Sequence, residues 1–137
     1  ELKAISNFKK AILMCAGAAA QQLMMQLEHE QEILMYLADM AIDTFQAECV
    51  VLRAMKMTQT GHADAAIATD MARTFLYDAA DRINHAGKAT VNAFAEGDTQ
   101  RMMLLGVKRF TKVGNFNTKE ARRRIAKRVT EAGKYFL

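Results

Sequence analysis

The chain has 137 residues, of which 51% are apolar and 25% charged, and its formal net charge at pH 7 is +4. This length accommodates one domain with a core of its own, and the balance of apolar and charged residues excludes an intrinsically disordered chain. No run of about 18 apolar residues occurs, which excludes an ordinary membrane-spanning helix. The complete absence of proline favours long, uninterrupted helices.

Two long helices are predicted in the first part of the chain. Apolar residues recur every three or four positions from Leu2 to Leu27 and again from Leu34 to about Thr60, as they do on one face of an amphipathic helix. The acidic stretch 28–32 is predicted to be a bend and then the first turn of the second helix, where negative charge favours the helix dipole. The stripes predicted to be buried are Ile5, Phe8, Ile12, Cys15, Ala19, Leu23 and Leu27 on the first helix, and Leu34, Leu37, Ala38, Ala41, Phe45, Cys49, Leu52 and Met55 on the second.

A run of small residues lies within the first helix, at positions 16–20. A glycine in a helix interior is less favourable than alanine by about 1 kcal/mol, so Gly17 requires a compensating contact. We predict that another helix approaches the first one closely at this point.

A third helix is predicted after Gly61, which suits the position that follows a helix end because it accepts the left-handed conformation. His62 or Asp64 is predicted to cap this third helix, and Gly87 is predicted to bend or end it. Its predicted buried stripe consists of Ala68, Ala72, Phe75, Ala79, Ile83 and Ala86.

Two shorter helices are predicted in the rest of the chain. Gly97 and Asp98 indicate a stop followed by a new cap, and the segment 99–112 is predicted to be a helix that ends near Gly114. The tetrapeptide Asn-Thr-Lys-Glu at 117–120 is typical of a capping box and opens the last helix. The predicted apolar stripe of this helix consists of Ala121, Ile125, Val129, Ala132 and Phe136.

The fold class follows from these periodicities. No segment alternates between apolar and polar residues as a strand would, so the sequence predicts an all-α fold, in the form of a mainly up-down helical bundle. We predict a single helical domain over residues 1–137, with a basic C-terminal subregion over 98–137. Because the chain starts at Glu1 rather than at a methionine, we expect it to be a piece of a longer protein.

Two acidic clusters near or on the second helix are explained without a metal. Asp39 and Asp43 are four positions apart and repel each other if both are exposed, so a cation such as Arg53 is expected nearby. The cluster at the helix start lacks the Glu-x-x-His spacing of a di-iron bundle, so we interpret it as a solvated helix start. It consists of Glu28, His29, Glu30 and Glu32.

A third cluster, Asp78, Asp81 and His85, has spacings of 3 and 4 and therefore shares one helix face. Two carboxylates and a histidine can hold an adventitious metal ion, or an aspartate can orient a catalytic imidazole. We favour a third interpretation, in which Arg82 pairs with Asp78 on the surface, an interaction worth only about 0–1 kcal/mol. We therefore predict no catalytic, cofactor-binding or metal-ligating residue in the chain.

The two cysteines, Cys15 and Cys49, are isolated, without C-x-x-C spacing or an adjacent histidine. We interpret both as reduced thiols that are buried as small apolar residues on helix faces. A disulfide would require the first two helices to align them. Reduced thiols indicate a reducing compartment, so a cytoplasmic location is expected.

Charge is distributed unevenly along the chain. Residues 1–100 contain 8 Lys and Arg against 13 Asp and Glu, whereas residues 101–137 contain 11 against 2. This basic tail is a candidate interaction patch for nucleic acid, for an anionic membrane or for acidic residues of a protein. Nucleic acid is the weakest of the three, because no helix-turn-helix spacing or stacking aromatics accompany the charge, and we favour pairing with acidic residues 28–48. The patch consists of Lys108, Arg109, Lys112, Arg122, Arg123, Arg124, Lys127 and Arg128.

Four short runs carry a resemblance to a known family. They are Leu37-Ala38-Asp39-Met40-Ala41-Ile42-Asp43, Val51-Leu52-Arg53-Ala54, Thr60-Gly61-His62 and Tyr77-Asp78-Ala79-Ala80-Asp81-Arg82-Ile83. The chain resembles the C-terminal helical extension of acyl-CoA dehydrogenases of the very-long-chain type, over about residues 3–86 and most clearly over 34–83. The helix with Leu-Ala-Asp-Met-Ala is also similar to one in the helical core domain of the whole family.

The resemblance implies that the longer protein catalyses α,β-dehydrogenation of acyl-CoA in fatty acid oxidation, with FAD as the hydride acceptor. No catalytic residue carries over, because the family's Gly-Gly pair, Arg-Asp motif and Tyr-Glu-Gly-Thr-like element have no counterpart after Ile83. The resemblance implies instead a structural and assembly domain without a cofactor of its own, which packs against the catalytic core of the same chain in a homo-oligomer. It also implies an association with membranes, so peripheral docking through the basic tail is the alternative.

Overall fold

The computed structural model describes residues 1–134, which form helices and connecting turns. Its five α-helices are α1 (Leu2–Leu23), α2 (Gln31–Gln59), α3 (Ala65–Phe94), α4 (Gly97–Phe110) and α5 (Thr118–Ala132), and a 3-10 helix (Met24–His29) connects α1 to α2. No strand occurs between residues 1 and 134, so the predicted all-α class is confirmed. Over the same residues, no helix has the length and apolar character needed to cross a bilayer.

Helices α1, α2 and α3 form the centre of the bundle. Helices α1 and α3 run in the same direction, because Glu1 pairs with Arg73 at one end while the Gln22 side chain donates to the Phe94 carbonyl oxygen at the other. Helix α2, joined to α3 by residues 60–64, runs antiparallel to α3, as a short connection requires.

Helices α4 and α5 follow one another along α3 and both run antiparallel to it. Near the end of α4, Asn84 Nδ2 donates to Thr111 Oγ1 at 2.7 Å, which places α4 beside the second half of α3. Near the end of α5, Arg128 binds Asp64 at the start of α3. The predicted up-down bundle is therefore confirmed, and its fourth position is shared by two short helices.

The predicted buried stripes of α1 and α3 agree with the core over most of their length. Helix α1 turns Ala11 inward as well, whereas Ile12, Leu23 and Leu27 are only half-buried. On α3 only Phe75 among the predicted positions is half-buried. The predicted residues that are buried are Ile5, Phe8, Cys15 and Ala19 on α1, and Ala68, Ala72, Ala79, Ile83 and Ala86 on α3.

The predicted buried stripe of α2 is wrong except at Leu37, which is half-buried against the core, because the other predicted residues face outward. Phe45 is 68% exposed and Leu52 is 50% exposed. The side chains that α2 buries are Ile33, Met40, Thr44, Ala47, Val51, Ala54 and Met57. Both sets recur at helical spacing, so periodicity alone does not decide between them; packing against α1 and α3 does.

Three predicted boundaries differ from the structure. Helix α1 ends at Leu23 rather than Leu27, because Met24 adopts a φ of +48° and the chain continues as a 3-10 helix. Gly87 neither bends nor ends α3, which runs unbroken to Phe94. Helix α4 begins at Gly97 rather than residue 99, with Glu96 rather than Asp98 at the N-cap position.

The close helix approach predicted at Gly17 occurs elsewhere. Gly17 is exposed, and a Cβ added there would meet nothing within 4 Å. A Cβ added to Gly87 would lie 3.0 Å from Cγ1 of Val107 on α4 and 3.4 Å from Cε of Met40 on α2. The contact that requires glycine is therefore the approach of α4 to α3.

Of the predicted helix caps, Asn117 acts as expected, whereas Asp64 has a different partner. Asn117 Oδ1 accepts the Glu120 N–H at 3.1 Å, which is the first half of the predicted capping box. Asp64 occupies the N-cap position of α3, but its carboxylate binds Arg128 instead of a backbone N–H, and its own N–H donates to Nδ1 of His62. Of the predicted α5 stripe, Ala121 is buried and Ile125 and Ala132 are half-buried. The prediction is wrong for Val129, which is 45% exposed, and Phe136 lies outside the described residues.

Candidate interaction surfaces

A groove of about 610 Å³ that is open to solvent lies between α2 and α3. The carboxylates of Asp39, Asp43 and Asp81 line it. His85 lies beside them, with its ring in an edge-to-face arrangement with Tyr36 and 6.5 Å between the centroids. The groove is therefore acidic, and it brings together the two aspartate clusters that the sequence analysis treated separately.

Arg82 bridges the two walls of this groove. Its Nε and Nη2 atoms donate to both carboxylate oxygens of Asp43 at 2.7–3.0 Å, and its guanidinium carbon lies 5.5 Å from the ring centroid of Phe75. The hydrogen bonds that Arg82 donates to Asp43 raise the pKa of Arg82, so its guanidinium stays charged. The predictions that Arg82 binds Asp78, and that Arg53 is the cation near Asp43, are both wrong.

Asp78, Asp81 and His85 do not converge on one point. Both oxygens of Asp78 accept from Arg122 of α5 at 2.8 Å, whereas Asp81 and His85 line the α2–α3 groove. Within residues 1–134, no group of three or more His, Cys, Asp or Glu side chains is placed to hold a metal ion. Neither the metal hypothesis nor the oriented-imidazole hypothesis gains support from these three residues.

Three arginines of α5 bind three aspartates of α3 in antiparallel order, an arrangement that we call the arginine clasp. Their donor–acceptor distances are 2.6–3.0 Å, and two of the three aspartates are largely covered. Ala121 is the one buried residue of α5 within the described range. Helix α5 is therefore held against α3 by these ion pairs together with the burial of Ala121. The pairs are Arg122–Asp78, Arg124–Asp70 and Arg128–Asp64.

The clasp shifts the protonation equilibria of its members. The hydrogen bond from Arg128 lowers the pKa of Asp64, and the hydrogen bond with Asp64 raises the pKa of Arg128. Asp70 likewise raises the pKa of Arg124. The acids expected for the basic tail were those of residues 28–48, and this expectation is wrong for the clasp, whose acids lie between residues 64 and 78.

The predicted basic patch is divided by this arrangement. Its α5 part is paired within the chain, and the two cations outside the clasp also have neighbours, Arg123 with Glu120 and Lys127 with Glu131. The part at the end of α4, residues 108–112, is different: none of its three cations has an acidic partner within residues 1–134. Contact of this part with a partner stays a prediction.

The outward-facing stripe of α2 is the most apolar surface described. Eight of the ten exposed positions between residues 34 and 52 are apolar, and only Asp39 and Gln46 are not. A solvated helix face is normally polar, so this ratio marks α2 as apolar on both sides. The residues of this surface, which we call the outer face of α2, are Leu34, Met35, Ala38, Ala41, Ile42, Phe45, Cys49 and Leu52.

The two cysteines differ in environment. Cys15 is fully buried in the core, and burial raises the pKa of its thiol to about 11. Cys49 is exposed on the outer face of α2, so the prediction that both thiols are buried is wrong for Cys49. Both are free thiols.

The helices and surfaces described so far define a class, the all-helical bundle domain with one apolar and one basic exposed surface. The profile of the family described as "Acyl-CoA dehydrogenase, C-terminal domain" matches residues 7–109. The chain therefore belongs to this family. The resemblance found in the sequence is confirmed at this level, and the match extends past residue 86 into α4.

Two longer proteins are similar to almost the whole chain. A probable acyl-CoA dehydrogenase of Bacillus subtilis (strain 168) is 33% identical over 132 residues, which are 96% of this chain and 22% of that protein. The crystal structure of an acyl-CoA dehydrogenase complexed with FAD from Bacillus anthracis is 32% identical, superposes with a TM-score of 0.92, and is matched over 98% of this chain and 23% of its own. The chain thus spans less than a quarter of either relative.

Neither of two grooves on this domain fits FAD. The α2–α3 groove carries three carboxylates, which would repel the diphosphate of the cofactor. A second groove, between α3 and α4, has three cations that suit a phosphate, but it has no aromatic side chain to stack on a flavin ring. No step of flavin chemistry is therefore assigned to residues 1–134.

Proposed function

We propose that this chain is the non-catalytic structural and assembly domain of an FAD-dependent acyl-CoA dehydrogenase of the very-long-chain type. The remaining part of the longer protein would catalyse α,β-dehydrogenation of acyl-CoA in fatty acid oxidation. The observation that carries the proposal is the match of nearly the whole chain to less than a quarter of two acyl-CoA dehydrogenases, one of which holds FAD.

The chemistry of the reaction supports this division of labour. Dehydrogenation needs a carboxylate that removes the α-proton beside a flavin that accepts the hydride. In the described chain, Asp64, Asp70 and Asp78 are bound by arginines of α5, and Asp43 is bound by Arg82. Asp39 and Asp81 are exposed on the α2–α3 groove. None of these carboxylates lies in an enclosed pocket, which supports placing the reacting groups in the rest of the protein.

The proposed partners are the catalytic core of the same chain and further copies of the whole enzyme. A bundle that buries its own core and still exposes a long apolar stripe has surface left for a second contact. Contact with the core would position the domain within a homo-oligomer.

The test compares the full-length enzyme with a form that lacks residues 1–137. We expect the shortened enzyme to retain FAD and to show flavin bleaching when acyl-CoA is added, but to sediment as a different assembly. The 137-residue chain alone should be colourless and should not reduce a dye with acyl-CoA. Bound flavin or turnover in the chain alone would refute the proposal, and so would an unchanged assembly state of the shortened enzyme.

The very-long-chain assignment is tested separately, with a series of acyl-CoA substrates and the full-length enzyme. We expect kcat/KM to rise with acyl length up to the longest chains. A preference for short acyl chains would contradict the assignment without affecting the structural role.

A second candidate function, peripheral membrane docking, is favoured by the outer face of α4. Met102 is 73% exposed and Leu105 is 61% exposed, and exposed Arg101, Lys108 and Arg109 flank them. Apolar side chains between cations are typical of a helix that lies in the interface of an anionic membrane.

Its test is flotation of the full-length enzyme with vesicles that contain phosphatidylserine. Binding that weakens with salt, and that is lost in a Lys108→Glu/Arg109→Glu variant, would support membrane docking. Arg123→Glu/Lys127→Glu is the matched control, because it makes the same change of charge at two exposed cations on α5. Equal flotation of both variants, or none at low salt, would contradict it.

A further inference from the structure

Helix α2 is apolar around most of its circumference between residues 33 and 54. One side contributes Met40, Val51 and Ala54 to the core, and the opposite side forms the outer face of α2. A helix that is apolar all round is normally buried on all sides. In the described chain α2 is covered on one side only, so half of its apolar surface has no cover.

The outer face of α2 has the composition of the centre of an interface. It is free of charge at its eight positions, and charged residues follow at both ends, Glu30 and Glu32 before it and Arg53 and Lys56 after it. Interfaces typically have an uncharged centre and a polar rim. At 1.5 Å per residue, the stretch from residue 34 to 52 extends over about 27 Å.

The other exposed apolar side chains do not form such a stripe. Met24 and Met25 are 74% and 80% exposed, but they are two adjacent residues of the short 3-10 helix. Leu13, on α1, is 72% exposed, but Lys9 and Lys10 precede it by one turn. Met102 and Leu105 lie among the cations of α4. On α2 the eight apolar positions extend over several turns, and Asp39 is the one exposed charged residue between residues 34 and 52.

The size of the face indicates what kind of contact it can make. Its five large side chains are 40–68% exposed, and with roughly 150–200 Å² for a whole side chain they expose on the order of 500 Å². A stable complex between separate proteins buries about 800 Å² on each partner. Contacts between domains of one chain bury about 600–1,500 Å² in total, or roughly 300–750 Å² on each side.

The area therefore favours an occupant that is joined to the domain rather than a free partner. A covalent connection supplies a high effective concentration, so a surface of this size suffices. More than three-quarters of each similar acyl-CoA dehydrogenase lies outside the part that this chain matches. That part is long enough to provide a whole domain as the occupant.

We propose that the outer face of α2 is the surface by which this domain docks onto the catalytic part of its own chain, through an apolar surface on that part. The inference rests on the proposed function and adds the docking face to it. Phe45, in the middle of the face and with the largest exposure among its members, is the central contact. Cys49 lies one turn further along α2, and the same contact buries it.

The test uses the thiols of the native full-length enzyme. Alkylation by N-ethylmaleimide is followed at each cysteine by mass spectrometry, with the denatured enzyme as the reference for full reactivity. We expect Cys49 to react at least about 100-fold more slowly in the native enzyme than in the denatured one. Cys15, buried in the core, is the internal control for folding.

Two variants connect the protection of Cys49 to docking. Phe45→Glu should accelerate alkylation of Cys49 at least tenfold while Cys15 stays protected, because a charge on the face opposes its burial. Leu13→Glu places the same charge at an equally exposed apolar position on α1, and it should leave both thiols slow. Fast reaction of Cys49 in the native enzyme would overturn the inference, as would a Phe45→Glu variant in which Cys49 stays protected.

Other outcomes separate this inference from the proposed function. If Cys49 is fully reactive but removal of residues 1–137 still changes the assembly, the domain docks by another face and only the inference fails. If removal changes nothing, both fail. If the 137-residue chain alone sediments as a dimer with Cys49 protected, the occupant is a second copy, which also overturns the inference.

Discussion

The same substitution, glycine to alanine, should change stability in opposite directions at two helix interiors of this domain. Gly17 on α1 has open space around it, so the higher helix propensity of alanine is not offset by a steric clash. Gly17→Ala should therefore raise the free energy of unfolding by about 0.5–1 kcal/mol. At Gly87 on α3 the new Cβ would lie 3.0 Å and 3.3 Å from the two methyl groups of Val107. Val107 is fully buried, and its branched side chain has little rotamer freedom to move away.

The expected cost at Gly87 follows from this crowding. Overpacking a core costs about 1–3 kcal/mol, and a propensity gain of about 1 kcal/mol offsets part of it. We therefore expect Gly87→Ala to destabilise by about 0–2 kcal/mol. Gly106→Ala should lie between the other two, because its new Cβ meets only the flexible end of Met14.

The assay is urea unfolding of the 137-residue chain, followed by circular dichroism at equal m-values. The two variants should differ by at least about 0.5 kcal/mol, with Gly17→Ala the more stable. If Gly87→Ala stabilises as much as Gly17→Ala, then α4 does not approach α3 as closely as described, and the reasoning about the fourth position of the bundle fails.

Three further predictions concern packing, capping and pH. In urea unfolding of the same chain, Met40→Ala should lower the free energy of unfolding by about 2–5 kcal/mol, because Met40 is fully buried. Phe45→Ala should lower it by less than about 1 kcal/mol, because Phe45 is exposed. Equal losses would mean that the inner and outer faces of α2 are wrongly assigned. Asn117→Ala should lower the free energy of unfolding by about 1 kcal/mol, because it removes the side chain that caps α5, whereas Asn117→Asp should be about as stable as the original chain. Equal stability of the two variants in thermal unfolding would contradict the capping role of Asn117. Because Arg128 lowers the pKa of Asp64, the stabilisation from this pair is complete above the ordinary pKa of 3.8 and is lost as the pH falls through the lower pKa of the folded chain. The NMR chemical shifts of α5 amides should change in that pH window, and this change should be missing in the Asp64→Asn variant. An identical titration of both chains would refute the linkage.

The sequence was sufficient for the class and order of the helices. Proline is absent, and the apolar positions of α1 and α3 each form one stripe, so only one face could be buried. Helix α2 shows where this reasoning stops. Its residues at 40, 44, 47 and 51 and those at 34, 38, 41 and 45 have the same helical spacing, and the choice between them depends on α1 and α3.

Long-range contacts were the other part that the sequence could not supply. The excess of cations after residue 100 is plain from composition, but Asp64, Asp70 and Asp78 become their partners only because α5 lies antiparallel along α3. Likewise Gly17 and Gly87 look equivalent in the sequence. The space beside each is decided by the path of α4.

The misassigned stripe of α2 is also the most informative feature for function. An exposed stripe as apolar as a core face is normally buried against a second surface. The similar proteins are more than four times as long as this chain, so their remaining part is long enough to supply such a surface. The same residues that mislead a prediction for the single domain thus indicate that the domain does not act alone.

The central claim is that the outer face of α2 is covered by the catalytic part of the same chain, and a cross-link at Phe45 tests it most directly. Phe45 would be replaced by p-benzoylphenylalanine in the full-length enzyme, which is then irradiated and digested for mass spectrometry. We predict an adduct within one chain, between position 45 and a peptide outside residues 1–137. No adduct, or an adduct only to the same domain of a second copy, would contradict the claim.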